Sequence, residues 1–405
     1  MESEIFTYQS TPLPPGPDGP MAGICLAIDP NISVARWPTH AQSKALENYV
    51  ALEDASLVGR LRKAGATLKG RTAMAELGLG LDNDTGGDAI IRGLAHVVLK
   101  TDTTGEARMA AAIAGCFGFK PSYGLISRFG IMGLVPSMEG CGILSDCLET
   151  ISKTARTMAG PDERDPSMDL SGIDRAMEKF GHPENFQDGP LTVGVIQEWG
   201  NMSKEFEQTV KALGKTGAKI EAVAIQDAPL ARSVHNIIGT VEASSSAGRF
   251  DSVRYGHRTA ASAKNWNEMY IKSRGEAFGP LVKAYLFQGG YFQYKAYTAF
   301  LDACRIRARL VASVEKAFET VDLIILPVSV SPVPTSEKPK TITSLYDAFS
   351  LTLLANLTGN PAVTIPGSVN GNDGSSALQL MGGRFDDARL LALAARVSDI
   401  CTGDI

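Results

Sequence analysis

The sequence has little of what marks a specialised environment. No uninterrupted apolar run approaches the ~20 residues that a membrane span requires. The opening stretch, MESEIFTYQSTPLPPGPDGP, has neither the charged-then-apolar pattern nor the small-residue cleavage site of an export signal. No Cys-x-x-Cys pair occurs among Cys25, Cys116, Cys141, Cys147, Cys304 and Cys401, so zinc-ribbon and thioredoxin readings lose their main support. Reduced thiols in a cytoplasmic protein are the expectation. Internal repeats and low-complexity tracts are missing, and so are clusters of Lys or Arg. The net charge is −5, so no basic surface invites nucleic acid or anionic lipid. Neither membrane attachment nor direct nucleic-acid binding is expected.

What is present is a long, evenly mixed chain. Its 405 residues, 44% of them hydrophobic, are enough for a large core. Residues 11–20, TPLPPGPDGP, carry five prolines, and 1–22 is expected to be an extended N-terminal segment. A single domain then runs over 23–405, with a polar surface excursion at about 161–190. GICLAI (23–28), LTVGVI (191–196), AKIEAVAI (218–225) and VDLIILPV (321–328) read as strands, the last buried on both faces. A helix opens at Asp54, and another starts at Asp88 and carries Ile90, Ile91, Leu94, Val97 and Val98 as its stripe. TDTTGEARMAAAIAGC (101–116) reads as a tight turn passing into a buried helix of small residues. A long amphipathic helix spans 294–319. Strands alternate with helices throughout, which predicts an α/β fold with a large mixed sheet covered by helices on both faces.

Several stretches carry a family resemblance. GFKPSYGLISRFG (118–130), GCGILSDCLETISKTARTMAGPDERDPS (140–167) and the ILPVSVSP strand resemble the amidase-signature family. SKALENYVALEDASLVGRLRKAGATLKGRTAMAEL (43–77), VEASSSAGRFDSVRYGHR (241–258), SRGEAFG (273–279) and LLANLTGNPAVTIPG (353–367) are similar to one branch of it, the glutaminase subunit of the glutamyl-tRNA(Gln) amidotransferase. The resemblance covers nearly the whole chain from residue 22 and implies the amidase-signature fold; fold alone does not fix function.

The resemblance also implies a catalytic set that this chain replaces. The family cuts amides with a lysine, a bridging serine and a nucleophilic serine, backed by an oxyanion-holding turn. The lysine motif, of the type AIKDNI, reads Ala27-Ile28-Asp29-Pro30-Asn31-Ile32 here, so Asp29 stands in the lysine's place. The nucleophile motif, of the type TDTGGSIR, reads Thr101-Asp102-Thr103-Thr104-Gly105-Glu106-Ala107-Arg108. Glu106 therefore replaces the serine and Thr104 an oxyanion glycine, while Gly105 is kept. Counting back from Glu106 without gaps puts Asp82 in the bridging serine's position. On the substrate side, the places that grip glutamine in the amidotransferase branch read Val282-Lys283-Ala284-Tyr285 and, near Asp347, Phe349. A tyrosine of that site becomes His235. Thr104, Gly105, His235, Tyr285 and Phe349 are accordingly the candidate substrate-binding residues.

Asp29, Asp82 and Glu106 cannot perform a lysine–serine–serine relay, since a carboxylate is a far weaker base than a neutral lysine. If they converge, like charges at close range oppose joint ionisation. Three outcomes relieve this: a divalent cation held by Asp29, Asp82 and Glu106, one or two carboxyls kept protonated as an acid/base pair, or a pocket open to water. Asp82, Asp84, Gly87 and Asp88 fail as a calcium loop, because Gly86 and Gly93 fall where ligands are needed; Asp88 reads instead as a helix N-cap. His96 reads as a mid-helix residue, His257 and Cys116 as structural, and the aromatic group Tyr285, Phe287, Tyr291, Phe292, Tyr294 and Tyr297 as core packing. The joint loss of catalytic and substrate residues leads to the expectation of a pseudoenzyme, a scaffold that binds a small-molecule ligand or a protein partner as in amidotransferase complexes. The alternative is a repurposed enzyme that uses the three carboxylates on a small molecule.

Overall fold

A computed structural model describes residues 2–10, 18–182, 186, 189–199, 203–329, 341–367 and 377–402. Its centre is one mixed sheet of eleven strands: β1 (Phe6–Gln9), β2 (Cys25–Ile28), β3 (Thr67–Thr72), β4 (Val97–Asp102), β5 (Phe117–Lys120), β6 (Gly140–Ser145), β7 (Thr192–Ile196), β8 (Lys219–Val223), β9 (Leu323–Pro327), β10 (Ala362–Ile365) and β11 (Leu378–Met381). Across the sheet the order is β1-β3-β2-β4-β6-β5-β10-β11-β9-β7-β8. β2 runs parallel to β3 and β4, and β7 runs parallel to β8 and β9, while the middle of the sheet is antiparallel.

Helices cover both faces, as the strand–helix alternation predicts. They are α1 (Glu2–Ile5), α2 (Ser56–Lys63), α3 (Gly86–Ile91), α4 (Glu106–Ala114), α5 (Leu148–Met158), α6 (Leu170–Gly181), α7 (Lys204–Lys215), α8 (Ala231–Ser246), α9 (Trp266–Ala277), α10 (Pro280–Tyr294), α11 (Tyr297–Ala317), α12 (Ile342–Ala348), α13 (Leu353–Thr358) and α14 (Asp387–Thr402). Successive strand residues point to opposite faces. Leu323 and Ile325 of β9 enter the core beneath α2, α5, α6, α7 and α14. Ile324 and Leu326 enter the core beneath α8, α10, α11 and α13. The strand is therefore apolar at every position, as a doubly covered strand must be.

The expected small-residue helix is α4, and its alanines serve close approach to the sheet. A Cβ on Gly142 of β6 would collide with Ala107 of α4, and one on Gly118 of β5 would collide with Ala111. This contact sets the height of the helix, and hence the position of the residues at its start.

Several boundaries depart from the sequence reading. Residues 6–9 form the sheet's edge strand, paired antiparallel with β3, so the N-terminal segment is not separate from the domain. Residues 11–17, the heart of the proline-rich stretch, lie outside the described residues. The polar excursion at 161–190 contains α6, whose Ile173, Ala176 and Phe180 are buried against the core. The helix expected from Asp88 ends at Ile91, and Val97 and Val98 belong to β4. Asp88 lies in that helix's first turn rather than at its cap. His96 precedes β4, where its Nδ1 accepts the Cys25 N–H at 2.9 Å. The aromatic group divides: Tyr285 is buried, while Phe287, Tyr291 and Tyr294 are exposed, because α10 buries the face carrying Val282, Tyr285 and Gly289; Tyr297, at the start of α11, is exposed as well.

Gly142→Ala is predicted to destabilise the chain by ~1–3 kcal/mol, the usual cost of forcing atoms into a packed core. Urea denaturation measures it; an unchanged midpoint would contradict the glycine-set approach of α4.

Candidate active site

The site residues gather where β4 hands over to α4. Thr103, Thr104 and Gly105 form a turn closed by Gly105, which has φ +128° and whose Cβ, if it had one, would strike Thr352. Only glycine suits that conformation and that contact. Just inside the helix, Glu106 folds its carboxylate back onto the turn. Its Oε2 accepts the N–H groups of Thr103 at 2.7 Å, Thr104 at 2.8 Å and Gly105 at 3.1 Å. Its Oε1 accepts the Thr104 hydroxyl at 2.6 Å and the Gly80 N–H at 3.4 Å. Three backbone donors converging on one oxygen at a helix N-terminus form an anion-binding nest, and Glu106 fills it with its own side chain.

Opposing forces act on that carboxyl. Burial, and then the charge of Asp102, raise its pKa above the ordinary 4.5; the Thr104 hydroxyl and the backbone donors pull the other way without winning. The arrangement is a buried acid whose pKa is raised by burial although a ring of donors surrounds it.

The base of the turn is clamped. Arg108, fully buried, donates to both oxygens of Asp102 at 2.8 and 3.1 Å and to the Thr352 carbonyl at 2.8 Å. It also bonds Gln379 and Asn356. Arg108 holds the Asp102 carboxyl below its ordinary range despite burial. Asn356 Nδ2 donates to the Asp102 carbonyl at 3.1 Å, and the Thr352 hydroxyl donates to the Thr104 carbonyl at 2.5 Å.

The three predicted carboxylates do not converge. Asp29 belongs to a separate buried cluster, where Lys100 Nζ lies 3.4 Å from its Oδ2 and also pairs closely with Asp84. The Asp29 Oδ1 accepts the Thr72 hydroxyl at 2.5 Å. Asp82 sits half-buried on the loop before α3, and in that loop it is Gly80 that reaches Glu106 and Asp84 that pairs with Lys100. Among the described residues no three His, Cys, Asp or Glu side chains form a metal-holding group, so the cation expected at Asp29, Asp82 and Glu106 finds no shared site. The Lys100 ammonium supplies a counter-charge that Asp29 and Asp84 share.

Two carboxylates sharing one ammonium leave a surplus negative charge. Burial pushes the Asp29 pKa up to about 6, with Asp84 adding to the rise and Lys100 opposing it. Lys100 stays charged, because its two carboxylate partners outweigh its burial.

His235 is buried beside the turn, as a pocket position implies. Its Nε2 lies 3.0 Å from the Thr103 carbonyl and its Nδ1 3.0 Å from the Tyr346 hydroxyl. Tyr346 in turn meets Tyr285 at 2.9 Å. Phe349 packs in the same core, and its carbonyl accepts the Thr352 hydroxyl at 2.8 Å. His257 bonds Glu276 at 2.7 Å, and Cys116 is buried with its thiol pushed up to about 12.

The sequence reading does not single out Lys100, Arg108, Tyr346 or Thr352. A signal existed for the first of these. A lysine inside the apolar run VVLKTD must bury its charge and therefore needs an acid, and Asp29, just past the end of the neighbouring strand β2, is one.

The turn of backbone donors stands at a strand–helix junction of the eleven-stranded mixed sheet. The family model described as Amidase matches residues 10–87 and 85–391, and the chain belongs to that family. It is similar to the A-type subunit of glutamyl-tRNA(Gln) amidotransferase from Symbiobacterium thermophilum, with 33% identity over 410 residues covering 93% of this chain and 82% of that one. The corresponding protein of Natronomonas pharaonis is 33% identical over 432 residues, covering 96% and 98%. Among solved structures, the A-type subunit from Thermotoga maritima superposes with a TM-score of 0.77 at 22% identity, over 98% of this chain and 88% of that chain. The peptide amidase of Stenotrophomonas maltophilia gives 0.70 at 21%, over 95% and 83%. These two bear on the fold.

The pseudoenzyme expectation, with its alternative of carboxylate chemistry on an unrelated small molecule, is overturned by the relatives. Proteins one third identical over nearly the full length are named amidotransferase subunits. Among the described residues no helix is long and apolar enough to cross a membrane.

Lys100→Met is predicted to cost ~3–5 kcal/mol, because it strands two buried carboxylates, and Asp29→Asn with Asp84→Asn in the same chain should recover most of it. Asp29 binds its proton more tightly folded, at about 6, than at the ordinary 3.8. Its contribution is therefore full at low pH and is lost as pH rises through about 6. Asp29→Asn should flatten the stability profile between those values in pH-resolved urea denaturation. A single Lys100→Met variant as stable as the parent would contradict the cluster.

Proposed function

We propose that the chain hydrolyses a carboxamide C–N bond at the Thr103–Glu106 turn, as the A-type subunit of an amidotransferase-like assembly with a protein partner. One observation carries the reading: three backbone N–H groups aim at a single oxygen within 3.1 Å, the geometry that holds the oxyanion of an acyl-transfer intermediate. The names of the relatives support the reaction class and the partner.

In this reading the substrate carbonyl oxygen displaces Glu106 Oε2 from the nest. The displaced carboxylate loses its three backbone donors, and its basicity rises at the moment a proton has to be taken. That proton comes from the Thr104 hydroxyl, already 2.6 Å from Oε1. Thr104 Oγ1 attacks the carbonyl carbon, and the oxyanion forms among the freed N–H groups. As the C–N bond breaks, Glu106 returns the proton to the departing amine. Water, activated by the same carboxylate, then hydrolyses the threonyl ester. Lys100 takes no part, because its ammonium is held by Asp29 and Asp84.

The test is ammonia release from glutamine, asparagine and a panel of primary carboxamides. The expected outcome is turnover that falls about 100-fold or more in Glu106→Gln and Thr104→Val, with Thr104→Ser keeping part of it. Release no greater than that of Glu106→Gln for every amide, or a rate indifferent to both substitutions, would overturn the reading.

A further inference from the structure

The nest has a second layer behind it. The Thr103–Thr104 peptide unit is engaged at both ends: its N–H donates to Glu106 Oε2 at 2.8 Å, and its carbonyl lies 3.0 Å from His235 Nε2. A carbonyl only accepts, so Nε2 carries the proton. Burial pushes the His235 pKa down to about 4, so the ring is neutral and Nδ1 is an acceptor. The Tyr346 hydroxyl, 3.0 Å away, must then donate to Nδ1. Its oxygen is left to accept from Tyr285 at 2.9 Å. Each direction follows from the one before. All three side chains are fully buried or nearly so, and α8 makes room for the last of them: a Cβ on Gly239 would lie 2.5 Å from the Tyr285 hydroxyl oxygen.

We infer that Tyr285, Tyr346 and His235 form a one-way hydrogen-bond relay that polarises the Thr103–Thr104 peptide and sets how strongly the turn holds an anion. Every dipole in the chain, from the Tyr285 hydroxyl through the imidazole and the peptide to the Thr104 N–H, points its positive end at the nest. Aligned hydrogen bonds strengthen one another, and they do so most where water is excluded. The three are positioning residues: their hydrogen bonds run to the Thr103 carbonyl rather than to Glu106, and they act through one peptide bond. This role rests on the reading of the turn as the oxyanion site, but the relay's effect on anion affinity stands or falls without any turnover.

The experiment therefore uses anion binding. Glu106→Ala empties the nest, and formate serves as the probe, followed through the Thr104 amide resonance. The expected result is that Glu106→Ala binds formate and that adding Tyr346→Phe weakens this about fivefold, the effect of one neutral hydrogen bond. In the parent chain, 15N shifts of His235 should show a neutral ring protonated on Nε2 from pH 5 to 8. Equal formate affinity with and without Tyr346→Phe, or a proton on Nδ1, would overturn the relay. If Glu106→Ala does not fold, Gly239→Ala in the parent chain presses on Tyr285 without altering a relay member. The Thr104 amide proton should then move upfield, and an unmoved resonance would overturn the relay. A chain that holds formate in this graded way yet releases no ammonia would keep the relay and sink the catalytic reading alone.

Discussion

The hydrogen bonds from Thr103, Thr104 and Gly105 to the Glu106 carboxylate are the constraint around which this end of the sheet is arranged. Turning three successive N–H groups to one point forces the chain through a glycine at φ +128°, and Thr352 leaves no room there for a side chain. The helix behind must start at one height above the sheet, which Ala107 and Ala111 against Gly142 and Gly118 fix. Asp102 must be tied below, and Arg108 does that from inside the same helix. Few of these contacts involve substrate chemistry, yet all of them decide where the donors point.

Charge is handled locally. Each of these buried acids has a charged or polar partner: Asp102 has Arg108, Asp29 and Asp84 share Lys100, and Glu106 has backbone dipoles and the Thr104 hydroxyl. That division sets Asp29 apart from Glu106. Asp102 meets a full opposite charge in Arg108, while one ammonium serves both Asp29 and Asp84. Glu106 alone is held by partial charges, so it is the acid whose proton affinity responds when a donor is withdrawn. Placing the responsive group in the anion site, rather than beside it, couples occupancy of the site to basicity.

Much of the fold was legible in the sequence. The uniformly apolar LIILP of β9 announced a strand covered on both faces, and the small residues of α4 announced a buried helix. The site was legible as positions and not as geometry. Motif spacing marks Glu106, Thr104 and Gly105, which the structure sets at one turn with His235 beside it, but spacing does not say which way a side chain turns. Glu106 turns inward because the N–H groups of its own turn are the strongest donors within reach. Lys100 shows the other gap. It lies next to Asp29 only because β2 and β4 are neighbours in the sheet, a pairing that spans about seventy residues of sequence. The pseudoenzyme expectation equated replaced side chains with lost chemistry, and relatives one third identical over nearly the full length, named amidotransferase subunits, overturn it.

The central claim is that Glu106 is a buried carboxyl whose proton affinity stays above the ordinary range although it fills a ring of donors. Its side-chain carbon resonance, followed through a pH titration of carbon-13 glutamate-labelled protein and assigned by its disappearance in Glu106→Gln, measures this directly. The account predicts a midpoint above 4.5. A midpoint at or below that value would mean that the donors outweigh burial, leaving a permanently ionised anchor unfit to take a proton.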